Sequence, residues 1–217
     1  MQAVMHWLNH SLVVSSDYRI PDPDRVAPLL ERRQDMLAEL GAHHVLVYTS
    51  TSDPERVMVI MAIHTRDTVL ELLRSRVFFD WFDAVGVEDI PALFAGEVVD
   101  SVDLVGETNP SAPETMVSVV TPIEDITALI AHIHATLDDL RAAGVRNLVV
   151  FSAFDNPHEA MMVFRIDDES HARHWLRDTD LSSEWLGKAG IGAYPPVFVG
   201  RLRRVLQIAE RDSTGGS

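Results

Sequence analysis

Residues 37–63 read LAELGAHHVLVYTSTSDPERVMVIMAI, and residues 140–166 read LRAAGVRNLVVFSAFDNPHEAMMVFRI. Aligned at a constant offset of 103, the two stretches place apolar, turn-forming and glycine positions opposite one another. One residue is then inserted and the match resumes at an offset of 104. Trp81-Phe82 answers Trp185-Leu186, Gly86-Val87 answers Gly190-Ile191, and Phe94 and Gly96 answer Phe198 and Gly200. A self-similar chain of this kind is two copies of one structural unit. The boundaries implied are a first repeat over 1–105, a linker over 106–115, a second repeat over 116–208 and a disordered tail over 209–217.

Each copy carries the same succession of periods. A β-rich run comes first, Ser11-Leu12-Val13-Val14-Ser15 in one copy and Met116-Val117-Ser118-Val119-Val120 in the other. A helix follows, with Leu29, Leu30, Met36, Leu37 and Leu40 on its apolar side in the first copy. In the second copy Ile126, Leu129, Ile130, Ile133, Leu137 and Leu140 make one stripe at helical spacing. Thr121-Pro122-Ile123-Glu124 reads as its capping box, and Asp22 or Asp24 as the first copy's cap, with Pro28 in or near the first turn. Gly41 and Gly144 stand where a helix end favours a left-handed residue. Two β-rich runs then flank turn formers, Ser52-Asp53-Pro54-Glu55 and Asp155-Asn156-Pro157-His158, which predicts a hairpin. A second helix begins near Thr65 and Asp168, and a last strand covers 94–104 and 198–208.

The order β-α-β-β-α-β is the split unit of ferredoxin-like folds. Its helices cover one face of the sheet and leave the other bare. In the first copy Val59, Met61 and Ile63 alternate with Met58, Ile60 and Ala62, so the strand is apolar on both faces. A sheet with one wet face alternates apolar with polar. The bare face therefore needs cover, and the other copy's equivalent face is the nearest candidate.

With 217 residues, 47% hydrophobic and 24% charged, the composition is that of a globular chain. Its formal net charge is −15 and both halves are acidic, which argues against nucleic acid or an anionic membrane as partner. There is no cysteine, which removes thiolate catalysis, disulfides and cysteine metal sites. No apolar run approaches the ~20 residues that span a bilayer, and no signal peptide is read at the N-terminus. A cytoplasmic location is the expectation.

The topology, the repeat, and the aromatic segments Val77-Phe78-Phe79-Asp80-Trp81-Phe82 and Leu181-Ser182-Ser183-Glu184-Trp185-Leu186 resemble the dimeric α+β barrel superfamily, in its antibiotic-biosynthesis-monooxygenase-like branch. The likeness covers roughly 11–208. It implies an α+β fold in which two ferredoxin-like units pack sheet to sheet, here as an intrachain pair. It also implies a small-molecule ligand and, in that branch, oxidation of an aromatic or apolar substrate with no cofactor. The alternative is a non-catalytic binding or structural module. Monomer with a pseudo-twofold axis and homodimer are both open.

The second copy holds more reactive side chains, which places the candidate pocket there. His171 and His174, three apart on its second helix, are the candidate catalytic bases. Arg165, Trp175, Trp185, Tyr194 and Met161 are the candidate ligand-binding residues. No metal is expected, because no further histidine or cysteine converges downstream to complete a ligand set. Some superfamily members bind haem through a helix histidine and a first-strand Asn. Here the matching first strand offers Ser118, which departs from that pattern. His132 and His134 are two apart and point away from each other. His43-His44 are read as loop residues after a helix end, and His6 and His10 as part of a short packing segment. Met58, Met61, Met161 and Met162 are adaptable core filler. On the last strands Glu97 and Asp100 occupy positions equivalent to Arg201 and Arg204, which suggests ion pairs between the copies.

Overall fold

The computed structural model describes residues 12–87, 90–106, 114–172 and 197–209. The first half runs β1 (Leu12–Arg19), a 3-10 turn (Pro23–Arg25), α1 (Val26–Arg32), α2 (Gln34–Glu39), β2 (Ala42–Ser50), β3 (Arg56–Ile63), α3 (Arg66–Arg74), α4 (Arg76–Val85) and β4 (Ala92–Asp103). The second runs β5 (Thr115–Pro122), α5 (Ile126–Ala135), α6 (Leu137–Ala142), β6 (Val145–Ala153), β7 (Glu159–Ile166) and β8 (Val197–Gln207), with a further helix beginning at Glu169. Both hairpins and the β-α-β-β-α-β order are as the repeat implies.

The eight strands close into one antiparallel barrel in the order β1-β3-β2-β8-β5-β7-β6-β4. Each half contributes a four-stranded sheet, and the two sheets join edge to edge: β2 pairs with β8, and β4 with β6. The bare faces of the two sheets meet inside. Val13, Leu46, Tyr48, Met58, Ile60, Ala62 and Phe94 from one half interlock with Met116, Val149, Phe151, Ala153, Met161, Val163 and Phe198 from the other. The two-sided apolar pattern of β3 has its explanation here. Met58, Ile60 and Ala62 enter the barrel, whereas Val57, Val59, Met61 and Ile63 pack under the helices.

The long last strands serve both halves. β4 pairs with β1 over Ala92–Glu97 and with β6 over Gly96–Asp103. β8 pairs with β5 over Val197–Arg201 and with β2 over Gly200–Gln207. A register shift where each crosses over, between Val98 and Asp100 on β4 and opposite Val47 and Tyr48 on β8, lets the strand bend into the second sheet. The exchange reaches the helix layers. Val102 and Leu104, in and just beyond β4, complete the second half's core, and Leu206 and Ile208, in and just beyond β8, complete the first half's. At the other barrel end Arg56 donates to Asp17 through Nε (2.9 Å) and a terminal nitrogen (2.5 Å), and to the Val197 carbonyl (3.2 Å), joining β1 and β3 to the start of β8.

Three local readings change. Thr121 and Pro122 close β5, and the helix cap is Asp125, whose carboxylate accepts from the Thr127 amide (2.7 Å). Pro122 is tolerated as the last strand residue, where no further ladder donor is needed. The stripe from Ile126 to Leu140 is two helices, broken at Thr136, whose hydroxyl donates to the His132 carbonyl (2.9 Å) and competes with the helical bond. The break repeats at Arg33 between α1 and α2. Finally, β4 and β8 lie diametrically opposite in the barrel order, so the proposed pairs between them do not form. Asp100 meets His134 instead (2.9 Å), Arg201 meets Glu169 and Arg204 meets Glu31. Gly41 (φ 67°) and Gly144 (φ 83°) do take the left-handed turn that ends the first helical segment of each half.

Candidate functional site

β7 divides the residues singled out in the second half. By strand alternation Met162, Phe164 and Ile166 face the helices, and Met161 and Val163 face the barrel interior. Met161 is wholly buried there, among side chains from both halves. Arg165 follows on the interior face at the strand end, half-buried, opposite Asn147 on β6 and Met116 on β5. Its charge reaches Tyr48 of the first half: burial pushes that phenol's pKa up, and Arg165 partly opposes the shift. The Tyr48 hydroxyl, the Asn147 carbonyl oxygen and the Ser118 hydroxyl are buried with no hydrogen-bond partner among the described residues.

His171 stands on the other side of the sheet, exposed, in the first turn of the helix that begins at Glu169. Its Nδ1–H donates to Asp167 (2.7 Å), while Asp168 accepts from the His171 amide (2.9 Å) and caps the turn. The Asp167 hydrogen bond and the two carboxylate charges hold the imidazole above its ordinary pKa. Among the described residues Asp167, Asp168 and His171 form the one group of three with ligating atoms within 4.8 Å of one another, and all three are exposed. The sheet thus separates His171 from Met161 and Arg165. His174, Trp175, Trp185 and Tyr194 lie outside the described residues.

A cavity lies in the first half, between the sheet and α1, α2, α3 and α4. It is narrow, with ≈ 30 Å³ of free volume, and is lined by Leu30, Leu37, Met36, Met61, Phe78 and Trp81, among others, with Ser16 as its polar edge. Arg33, at the break between α1 and α2, lies 5.8 Å over the Trp81 ring. Nearby, Tyr18 packs edge-on against Phe82 (5.5 Å), and burial pushes its hydroxyl's pKa up. A signal for this cavity was available in the repeat itself. Ser16 and Met61 stand where the second copy has the larger Val119 and Phe164, so the first copy has the more open layer.

A second unread cluster is histidine. His43 and His44 belong to β2, not to a loop, and a register irregularity between Ala42 and His44 turns both rings to one neighbourhood. Their Nδ1 atoms are 2.8 Å apart, and His64, just past β3, stacks on His43 at 4.4 Å between ring centroids. Burial, with the nearby His64 and His44, lowers the His43 pKa from 6.5 to about 4. The unfolded chain therefore takes up this proton first, and stability present above pH 6.5 is lost as pH falls toward 4. Urea midpoints at pH 7.0, 5.5 and 4.5 check this. His43→Gln should fall less steeply across that window than the parent protein, and equal slopes would refute the assignment to His43.

No protein-family model matches the sequence, and no curated protein sequence matches it. Solved structures do. An anthrone oxidase-like protein aligns over 96% of this chain and 98% of its own, with a TM-score of 0.68 and 12% identity. A candidate monooxygenase from Lactobacillus acidophilus aligns over 91% and 96%, with a TM-score of 0.54 and 8% identity. A haem-binding protein from Thermus thermophilus aligns over 88% and 91%, with a TM-score of 0.51 and 15% identity. At these identities the likeness speaks to architecture. Together with the closed eight-stranded sheet, it establishes that the chain folds as a dimeric α+β barrel whose two halves are one polypeptide.

Proposed function

We propose that the protein binds an apolar, aromatic small molecule between the sheet and helices of its first half. The observation that carries this reading is the apolar cavity there, edged by one hydroxyl and backed by Trp81. Its ≈ 30 Å³ accepts one or two water-sized groups as it stands. A larger ring enters by displacing Met36 and Met61, whose unbranched side chains repack readily, and the break at Arg33 gives the helical cover a joint. The resemblance to an anthrone oxidase-like protein makes anthrone a suitable probe. At anthrone concentrations about 100-fold above Kd, the melting temperature should rise by roughly 5–10 °C. Ser16→Leu, which fills the cavity, should abolish the rise while leaving the unliganded protein folded. A rise of equal size in Ser16→Leu would move the site elsewhere.

A further inference from the structure

We propose that the outer side of β8 around Arg203 is a binding site for a phosphorylated small molecule. β8 leaves one half's sheet for the other's, and its register shift gathers the donors. Opposite Tyr48 and Val47 the ladder passes from Leu202 to Arg204, so Arg203 is the extra residue with no partner on β2. On a regular strand Arg201 and Arg204 would face opposite sides. The bulge returns them to one side. Arg201 meets Glu169 in the second half's helix layer, and Arg204 meets Glu31 on α1 in the first half's. Between them Arg203 donates through Nε to the Thr49 hydroxyl (2.8 Å). Among the described residues its two terminal nitrogens hold no further hydrogen bond. The Thr49 bond orients the guanidinium and leaves those two nitrogens for a ligand.

The three arginines, with Glu114, Leu202 and Val205, line a hollow of ≈ 440 Å³, within the size range of small-molecule sites. Its chemistry is divided. Guanidinium groups bind phosphoryl oxygens in pairs and keep their charge, while Leu202 and Val205 offer an apolar wall to the organic part of the ligand. A phosphate monoester presents three acceptor oxygens in a tetrahedral arrangement, which three guanidinium groups around one hollow can share. A planar carboxylate offers two oxygens in one plane. Glu114 is the opposing charge there, and Glu169 and Glu31 already engage Arg201 and Arg204. The affinity therefore rests chiefly on Arg203. The other crossover strand is an internal contrast. At the positions equivalent to Arg201, Arg203 and Arg204, β4 carries Glu97, Val99 and Asp100, on a chain whose net charge is −15. The basic stretch is confined to one of two matching crossovers, so an anion is recognised on that side alone.

The test titrates the full chain with phenyl phosphate in a calorimeter. One equivalent should bind, and benzoate should bind more weakly. Arg203→Gln should weaken phenyl phosphate binding by at least about tenfold, the loss expected for hydrogen bonds to a charged group. Glu114→Gln should tighten it by removing the carboxylate that shares the hollow. Ser16→Leu, which fills the first-half cavity, should bind phenyl phosphate as the parent protein does, so the two sites fail independently. Arg203 is exposed, so its variant keeps the fold, which circular dichroism checks. Phenyl phosphate affinity unchanged in Arg203→Gln overturns the proposal. Loss of binding in Ser16→Leu, equal affinity for benzoate, or no saturable binding at millimolar phenyl phosphate does the same.

Discussion

Residues 1–105 produced alone should not yield a folded monomer. Without β8 and β6, the outer edges of β2 and β4 lose their ladders. Val13, Leu46, Tyr48, Met58, Ile60 and Phe94 lose the opposing wall of the barrel, and the first half's helix-side core loses Leu206 and Ile208. Each large apolar side chain returned to water costs about 1.5–3 kcal/mol, and a whole domain is held by only about 5–15 kcal/mol. The loss of the interior wall alone is of that size. Size-exclusion chromatography with light scattering should show self-paired or aggregated material, since open apolar edges invite pairing. Co-production with residues 106–217 should restore a one-to-one complex with a cooperative melt. A monomeric half that melts cooperatively at low concentration would refute the reciprocal exchange described for β4 and β8.

Phe198→Ala should destabilise the protein by about 3–5 kcal/mol, the cost of emptying a fully packed aromatic site. Phe198 is 1% exposed inside the barrel and lies across Gly200, where an added Cβ would fall 2.3 Å from its ring. Gly200→Ala in the parent protein should therefore cost about 1–3 kcal/mol through overpacking. In the Phe198→Ala background the same change should cost less, because the ring is gone and only the Tyr48 Cβ, 3.0 Å from the added methyl, still presses on it. Gly96, the equivalent position, behaves differently. A Cβ there meets the Ser152 carbonyl of the other half at 2.3 Å as well as the Phe94 ring at 2.8 Å. Phe94→Ala should therefore fail to rescue Gly96→Ala, since backbone does not step aside. Urea unfolding of the two double-mutant cycles measures both couplings. Equal rescue at the two glycines would contradict the packing.

The repeat and the alternation along β3 contain most of the architecture. Two sheets with bare apolar faces and matching elements leave few arrangements other than facing one another. Which edge joins which was not legible, because all four sheet edges look alike in sequence. The ion pairs expected between β4 and β8 failed for that reason. Thr136 and Arg33 break their helices through local hydrogen bonding and backbone angles that apolar spacing does not register. Strand alternation puts Arg165 and Met161 on one face, but only closure of the barrel shows that this face turns inward, away from His171. The first-half cavity depends on Ser16 and Met61 being smaller than Val119 and Phe164, a difference visible only when the copies are compared for volume rather than for reactive groups. His43 and His44 follow a glycine that ends a helix, so a loop was the natural reading. The strand begins directly at Ala42 instead.

Carrying both halves on one chain has a consequence for how the molecule changes over time. In an assembly of two identical subunits, any substitution appears on both sides of the axis at once and must be tolerated twice. Covalent continuity also makes docking of the halves independent of how much protein a cell contains. Here Arg146 and Asp167 keep a charge pair at the spot where His43 and His64 stack, and Phe164 fills the layer that Met61 leaves open. One side can hold the shape while the other is released to explore new chemistry.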